Sequence, residues 1–383
     1  MNITVETRLD RLAEISNEWD ALAATQPRDG FFRTASWVIP WFRFVQPKGR
    51  PFVIVIRGGS GQLVGLAPLC LTTFVDLGFP LRVLGFAGRE VVSGDYLDFL
   101  SLPHMYSANS AVLLDYVWSS RAEWDVLQLG ELLDGCELQM RISGWASRNE
   151  LPERQQEPRI CPYIELPQTF DKYLETLGSS VRYSIRRRKR DLLEKNGCLI
   201  STCSSVDEIH SGLAIMTDLH VKRWRKEGHS GTLTRPGFQD FLKAVCVTPP
   251  QGGACKLYVM RREGFPVAAL LAFHFADSAL YYQAGWDPDS PLTRFSPGTV
   301  MMAHAIEDAI ISGKRYYDFL RGDEAYKAQW TKSVRETKTL VCGRSLIGRG
   351  YIKCAALKDK AKHLFGKTQA PNSTDESIGE VSN

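Results

Sequence analysis

The sequence predicts a mixed α/β protein built from two similar units. Three observations predict it. A chain of 383 residues has room for two domains of ordinary size. Its halves follow one order of elements: a strand, helices, three meandering strands, a helix and a strand. Hydrophobic residues make up 44% and charged residues 23%, the balance of a globular protein with sizeable cores rather than of a disordered or collagen-like chain.

In the first half, residues 3–7 suit a short strand, and 9–24 carry Leu12, Ile15, Trp19 and Leu22 at helical spacing. Residues 36–45 form a second, aromatic helix. Residues 52–56 and 63–73 flank a glycine-rich turn at 58–61 and form a hairpin. Strands follow at 81–86 and 96–100, a helix at 108–120 and a strand at 124–130. In the second half, 161–166 is a linking strand and 170–195 one long helix. A strand at 198–203 and helices at 209–227 and 238–245 come next. Strands follow at 256–261, 267–276 and 279–286, then a helix from Ser296 to about 312 and a strand at 315–320. Gly61-Gln-Leu-Val-Gly aligns with Gly264-Phe-Pro-Val-Ala, and Asp125-Val-Leu-Gln-Leu-Gly with Tyr317-Asp-Phe-Leu-Arg-Gly, the mark of an internal duplication. The expected division is 1–150, 151–345, a basic helical tail at 346–366 and a disordered end at 367–383.

The formal net charge of +4 does not by itself mark a nucleic-acid binder, so electrostatic partners must be sought in local patches. Nine scattered cysteines with no Cys-x-x-Cys pair exclude a zinc- or thioredoxin-type motif and fit reduced thiols. The N-terminus lacks a signal-peptide core, and no apolar run is long enough to span a bilayer. A cytoplasmic protein without a metal is expected.

One motif is dense with chemistry: Tyr316-Tyr-Asp-Phe-Leu-Arg-Gly-Asp-Glu-Ala-Tyr-Lys-Ala-Gln-Trp330. It resembles the signature of the cellulose-biosynthesis-associated acetyltransferases of the GNAT superfamily, a group related to the Fem-type peptidyltransferases. Leu219-His-Val-Lys-Arg-Trp224, the basic helix at 181–190 and Phe295-Ser-Pro-Gly298 also look like this group. The similarity covers about residues 165–335; the first half resembles the family in layout only. The resemblance implies two tandem GNAT-like domains, each a mixed, mostly antiparallel sheet flanked by helices. It implies an N- or O-acyltransferase with acyl-CoA, acetyl-CoA foremost, as donor. In one respect the chain departs from the family. GNAT acetyltransferases carry an Arg/Gln-x-x-Gly-x-Gly/Ala loop after the fourth strand, where this chain reads Arg294-Phe-Ser-Pro-Gly-Thr. The donor is therefore acyl-CoA on a modified loop, an acyl carrier protein or an aminoacyl-tRNA.

Acyl transfer needs a place for donor phosphates, a polarised carbonyl and a deprotonated nucleophile. Ser296, Gly298 and Thr299 open a helix whose exposed amides attract anions, and Ser296 suits an N-cap. By resemblance, Lys327 sits at the catalytic centre and stabilises the oxyanion. Asp318, inside an apolar strand, and Glu324, on the following loop, are the candidate bases. His220 shares a helix face with Arg223 and Trp224, a candidate acceptor lining. Tyr282 is a candidate proton donor, and Tyr326 sits beside Lys327 among the substrate contacts. His274 alternates with Phe273 and Phe275 and reads as a core histidine. Arg182, Arg186 and Arg190 form a cationic stripe fit for phosphates, tRNA, a polyanionic saccharide or an anionic membrane surface. By resemblance, Arg182 reaches the active site. The tail at 344–367 interleaves Tyr351, Ile352, Leu357, Leu364 and Phe365 with cations, as an interfacial helix or one packed on its own domain.

Three functions compete. The first is transfer of an acyl group to an amine or hydroxyl of a sugar, polysaccharide precursor or amino compound. The second is a Fem-like transferase using charged tRNA. The third is a non-catalytic module of an envelope-polysaccharide system. The basic stripe favours the second, and the altered donor loop the third.

Overall fold

The computed structural model describes residues 1–26, 30–89, 92, 94–226, 232–250 and 253–365. Two compact units emerge, and they interleave along the chain. Unit 1 comprises Met1–Gln26, Gln46–Arg159 and Glu336–Asn383; unit 2 comprises Pro27–Val45 and Ile160–Arg335. The expected cut at 150/151 is thus corrected twice over. Residues 27–45 belong with the second unit, and 336 onward returns to the first.

In unit 1, with elements numbered along the chain, the strands are β1 (Asn2–Glu6), β2 (Arg50–Arg57), β3 (Leu63–Asp76), β4 (Phe79–Phe86), β5 (Leu100–Ser101), β6 (Val126–Leu133), β7 (Glu153–Gln155) and β14 (Val334–Gly343). Its helices are α1 (Leu9–Glu14), α2 (Ser16–Ala24), α4 (Tyr106–Ser119), α5 (Glu137–Arg148) and α11 (Leu346–Phe365). β1 through β4 pair antiparallel in turn; β4 then pairs in parallel with β6, and β6 antiparallel with β14. β2 is buried from Pro51 to Ile56, a strand covered on both faces, which is why it reads as a continuous apolar run. α11 packs on its own unit: Ile352 joins Leu81, Val83, Val126 and Val341, and Tyr351 donates to Asp76 at 2.9 Å. The interfacial alternative for this tail concerned Leu364 and Phe365 too, whose side chains lie outside the described residues. So do 367–383.

In unit 2 lie α3 (Ala35–Pro40), β8 (Arg159–Glu165), α6 (Phe170–Thr176), α7 (Ser179–Lys189), β9 (Leu199–Thr202), α8 (Val206–Lys226) and α9 (Phe238–Val247). β10 (Ala254–Arg262), β11 (Phe265–Phe275), β12 (Ser278–Trp286), α10 (Pro297–Ile311) and β13 (Tyr316–Asp318) complete it. β9 through β12 pair antiparallel in turn, and β12 pairs in parallel with β13. This is the strand order of unit 1 again. The hairpin turns match as well: Gly61 and Gly264 hold φ of +88° and +85°, the left-handed region glycine enters without strain. Alternation along β11 sorts its side chains between two layers. Ala268, Leu270 and Ala272 meet α10 through Val300, Ala303 and Ile306. Phe273 and Phe275 face Phe31 and, through Trp37, Phe241 of α9. Among the described residues no helix is long and apolar enough to cross a membrane.

Several local expectations change. The helix expected over 170–195 breaks at Leu177 and Gly178 and ends in a π turn, Arg190–Lys195. The strand expected at 96–100 shrinks to β5, because Tyr96 turns left-handed at φ +55° and Leu97 donates its N–H to the Glu131 carbonyl instead. α5 was not among the expected elements, although Leu138, Ile142 and Trp145 are its buried stripe.

Candidate functional site

The site is built where β12 and β13 part. They pair only at Ser278–Tyr316, Ala279–Tyr317 and Leu280–Asp318; from Tyr281 onward β12 has no strand on that side among the described residues. The register against β11 slips at the same point. Leu271 faces Gln283 and Ala272 faces Tyr281, which leaves Tyr282 as the bulged residue. Two mechanical devices bring further groups to this opening.

The first is Gly285. A Cβ there would stand 2.6 Å from the His220 amide nitrogen, so α8 lies backbone-to-backbone on β12. That contact places His220, Arg223 and Trp224 over the strand. Gly285→Ala should lower stability by about 1–3 kcal/mol through overpacking and lift α8 from the site. Urea unfolding checks the first effect, and the near-ultraviolet signal of Trp224 and Trp286 the second.

The second is Lys327, 2% exposed on the turn after β13. Its ammonium donates to the carbonyls of Leu320 (3.4 Å), Arg321 (2.8 Å) and Gly322 (3.4 Å), and pairs with Glu324 at 2.8 Å. Leu320 and Gly322 hold φ of +57° and +120°, which turns these carbonyls onto one point. The expected oxyanion partner is instead committed to holding its own loop. Asp318 is likewise corrected as a candidate base. It is fully buried, accepts from the Leu320 N–H at 2.8 Å and pairs with Arg335 at 3.2 Å. Arg335 is itself stacked 4.0 Å over Tyr163. A carboxylate so held anchors the loop.

The clamped loop presents Tyr326, whose hydroxyl lies 3.5 Å from that of Tyr281 on β12. Burial pushes both phenols up, Tyr326 well above the usual range; Glu324 pushes them further, Arg223 pulls them back, and at Tyr281 the hydrogen bond with Tyr326 opposes the rise as well. Both are therefore neutral O–H donors at any physiological pH. The guanidinium carbon of Arg223 sits over Trp286, 3.9 Å from the ring centroid, and 5.4 Å from that of Trp224. Trp286 is seated against the start of α10, where a Cβ on Gly298 would come within 3.2 Å of it.

At that start Ser296 is left-handed (φ +54°) and makes no side-chain cap bond, so the N-cap expectation is corrected. Thr299 accepts from Arg188 at 3.3 Å. Arg188 is thus the member of the basic helix that touches α10's first turn. Arg182 folds back toward the Glu175 carbonyl (3.5 Å), and Arg186 pairs with Asp171 (3.0 Å) on a separate pocket of about 640 Å³ that Lys189 and Glu307 also line. The structure does not gather those two arginines with Tyr326.

His220 is buried with Nδ1 at 3.4 Å from the Ala284 carbonyl, and burial pushes its imidazole down to about 4. It stays neutral at pH 7. Tyr282, the expected proton donor, is packed among Trp37 and Phe273 at 5.7 and 5.4 Å. Tyr281, its neighbour, faces the opening. The sequence singled out Tyr282, and the bulge gives the opening to its neighbour instead. Among the described residues no cluster of His, Cys, Asp or Glu is arranged to hold a metal.

Comparison with known proteins fits this geometry. Residues 179–328 match the acetyltransferase (GNAT) domain family, a span inside unit 2 that runs from α7 through Lys327. The chain is similar in fold to FemX, with a TM-score of 0.60 at 12% identity, over 88% of this chain and 97% of that one. It is similar to the C-terminal domain of a putative lysylphosphatidylglycerol synthetase from Agrobacterium fabrum (TM-score 0.54, 12% identity, 92% and 96% covered). It is also similar to a conserved protein of unknown function from Bacteroides thetaiotaomicron (0.54, 12%, 90% and 100%). At such identities the likeness is one of fold. No curated protein sequence matches the chain.

Proposed function

We infer that the chain is an acyltransferase whose site is the opening between β12 and β13 of unit 2. The donor is an acyl-CoA, acetyl-CoA foremost, and the acceptor an amine or hydroxyl of a sugar, polysaccharide precursor or amino compound. The observation that carries this is the juxtaposition of the unpaired edge of β12, the neutral Tyr281–Tyr326 pair and the first turn of α10 with Arg188. A strand edge offers amides to an extended pantetheine-like chain, and a helix start with an arginine suits phosphates.

The chemistry needs no covalent enzyme intermediate. The acceptor nitrogen or oxygen gives its proton to Glu324, which is 49% exposed at the mouth and passes it to water. It attacks the thioester carbonyl, the new C–N or C–O bond forms, and the C–S bond breaks. The departing thiolate takes a proton from Tyr326, which Tyr281 or solvent restores. Tyr326→Phe should lower kcat about 100-fold and leave CoA binding intact, as loss of a general acid does. Steady-state release of free thiol, followed beside a CoA-induced thermal shift, checks it. CoA at about a hundred times its dissociation constant should stabilise the fold by about 2.7 kcal/mol. Absence of any shift with CoA species would turn the reading to a carrier-protein or tRNA donor, or to a non-catalytic module.

A further inference from the structure

We propose that the outer face of α7 docks unit 2 on a lipid bilayer rich in anionic headgroups, with one headgroup seated in the pocket beside the helix. The inference goes beyond acyl transfer and does not depend on it. α7 is held to its unit by one side. Ile185 is 2% exposed there, and Arg188 and Lys189, which flank it, reach Thr299 (3.3 Å) and Glu307 (2.7 Å) of α10. At about 100° per residue, Tyr183, Arg187 and Arg190 fall within about 60° of one another on the opposite side. All three are exposed, Tyr183 to 63%. Arg186 and Lys189 have carboxylate partners in Asp171 and Glu307; Arg187 and Arg190 have none among the described residues.

Arg186, Lys189 and Arg190 line the pocket of about 640 Å³, which lies in the size range of small-ligand sites. Phe170, Leu174 and Ile310 give it apolar surface, and Ile311 lines it while standing 79% exposed. The carboxylates around it do not close it to an anion. The side chain of Asp171 is 80% exposed, and a surface pair of this kind is worth little, so Arg186 exchanges Asp171 for a phosphodiester at small cost. Glu307 stays with Lys189, whose ammonium also stands 5.0 Å over Phe170. Glu194 is exposed, so water and salt screen its repulsion. The apolar groups decide which polyanion fits. Arginines alone suit any phosphate. A nucleic acid adds stacked bases, to which an isoleucine offers no ring. A headgroup layer meets this face at every level: arginines at the phosphates, the phenol among the headgroups, the aliphatic side chain below them.

The test sediments the full chain with vesicles of phosphatidylcholine alone and with about a third phosphatidylglycerol, in the absence of donor and acceptor. Each arginine at an anionic surface is worth about fivefold in partition, so the Arg187→Glu, Arg190→Glu double variant should bind the anionic vesicles at least about 25-fold more weakly. Both side chains are exposed, so its urea midpoint should not move. Salt at about 0.5 M should release the unaltered protein from the same vesicles. Ile311→Ser should weaken binding and leave its salt dependence as it was. Equal partition into both kinds of vesicle, partition into neither, or undiminished binding by the double variant overturns the proposal. So does a structured RNA that binds where vesicles do not, is lost in the double variant and is indifferent to Ile311→Ser; the face would then be a nucleic-acid surface. No turnover is read, so each of these failures leaves the acyl-transfer reading standing.

Discussion

Lys327→Met should lower the unfolding free energy by about 2–4 kcal/mol and take most of the activity with it. Methionine keeps the length and apolar packing of the stem, so the loss isolates the ammonium. That ammonium satisfies the carbonyls of Leu320, Arg321 and Gly322 and the Glu324 carboxylate at once. Each buried carbonyl left unpaired costs about 1–3 kcal/mol, and a charged partner more. The turn that depends on it carries Glu324 and leads into Tyr326, so loosening it displaces the acid and the base together. Urea unfolding followed by the fluorescence of Trp330, which is buried three residues away, reports the stability. The alternative role makes the opposite prediction. A lysine acting on the oxyanion would leave the urea midpoint of Lys327→Met where it was and lower kcat alone.

The same turn shows what the sequence could reveal and what it could not. Asp318 stood out because a carboxylate inside an apolar strand is costly unless partnered, whereas Lys327, with Tyr326 beside it, stood out through the resemblance of the motif that holds them. Their partners could not be read. Arg335 lies 17 residues on, at the start of the next strand, and meets Asp318 only after folding. The clamped carbonyls are backbone atoms, identical in every sequence. Their aim depends on the left-handed φ of Leu320, a residue type that gives no warning of it.

The fold was more legible than the site because periodicity is local. The hairpins around Gly61 and Gly264, and the order of strands in both units, follow from alternation and turn residues. The segment at 27–45 is the exception. Its aromatic residues read as a helix of the first unit, yet Phe31 stacks on Phe273 at 4.5 Å and Trp37 meets Phe241 edge to face at 4.8 Å. Apolar patterning says that a face must be buried and is silent on which sheet buries it. Likewise Arg188 was one of six cations in nine positions, and only the crossing of α7 over α10 singles it out.

Acid should destabilise this protein earlier than carboxylate titration would. His220 and His274 are 2% and 3% exposed, and burial pushes each imidazole from 6.5 down to about 4. Arg223 adds to the effect at His220, where the Ala284 carbonyl opposes it. At His274 Lys256 and Lys314 add to it and Asp308 opposes. Between those values the unfolded chain binds protons that the folded chain refuses, so stability falls as pH drops from about 6.5 to about 4. The span of 6.5 − 4, at 1.36 kcal/mol per unit, is about 3 kcal/mol for each histidine. The pair together approaches the whole stability of an ordinary domain. Depressed carboxylates contribute lower down: Asp125, held at about 2 by Arg82 against its burial, releases its stabilisation only below its usual 3.8. The two windows can therefore be separated. Urea midpoints of the unaltered protein should fall steeply between pH 6.5 and pH 4, and those of a His220→Gln, His274→Gln double variant should fall much less, the remaining slope coming from His304, whose imidazole burial also pushes down. Equal slopes for the two proteins would mean that the imidazoles gain their protons without unfolding, and that the buried pair takes no part in acid sensitivity.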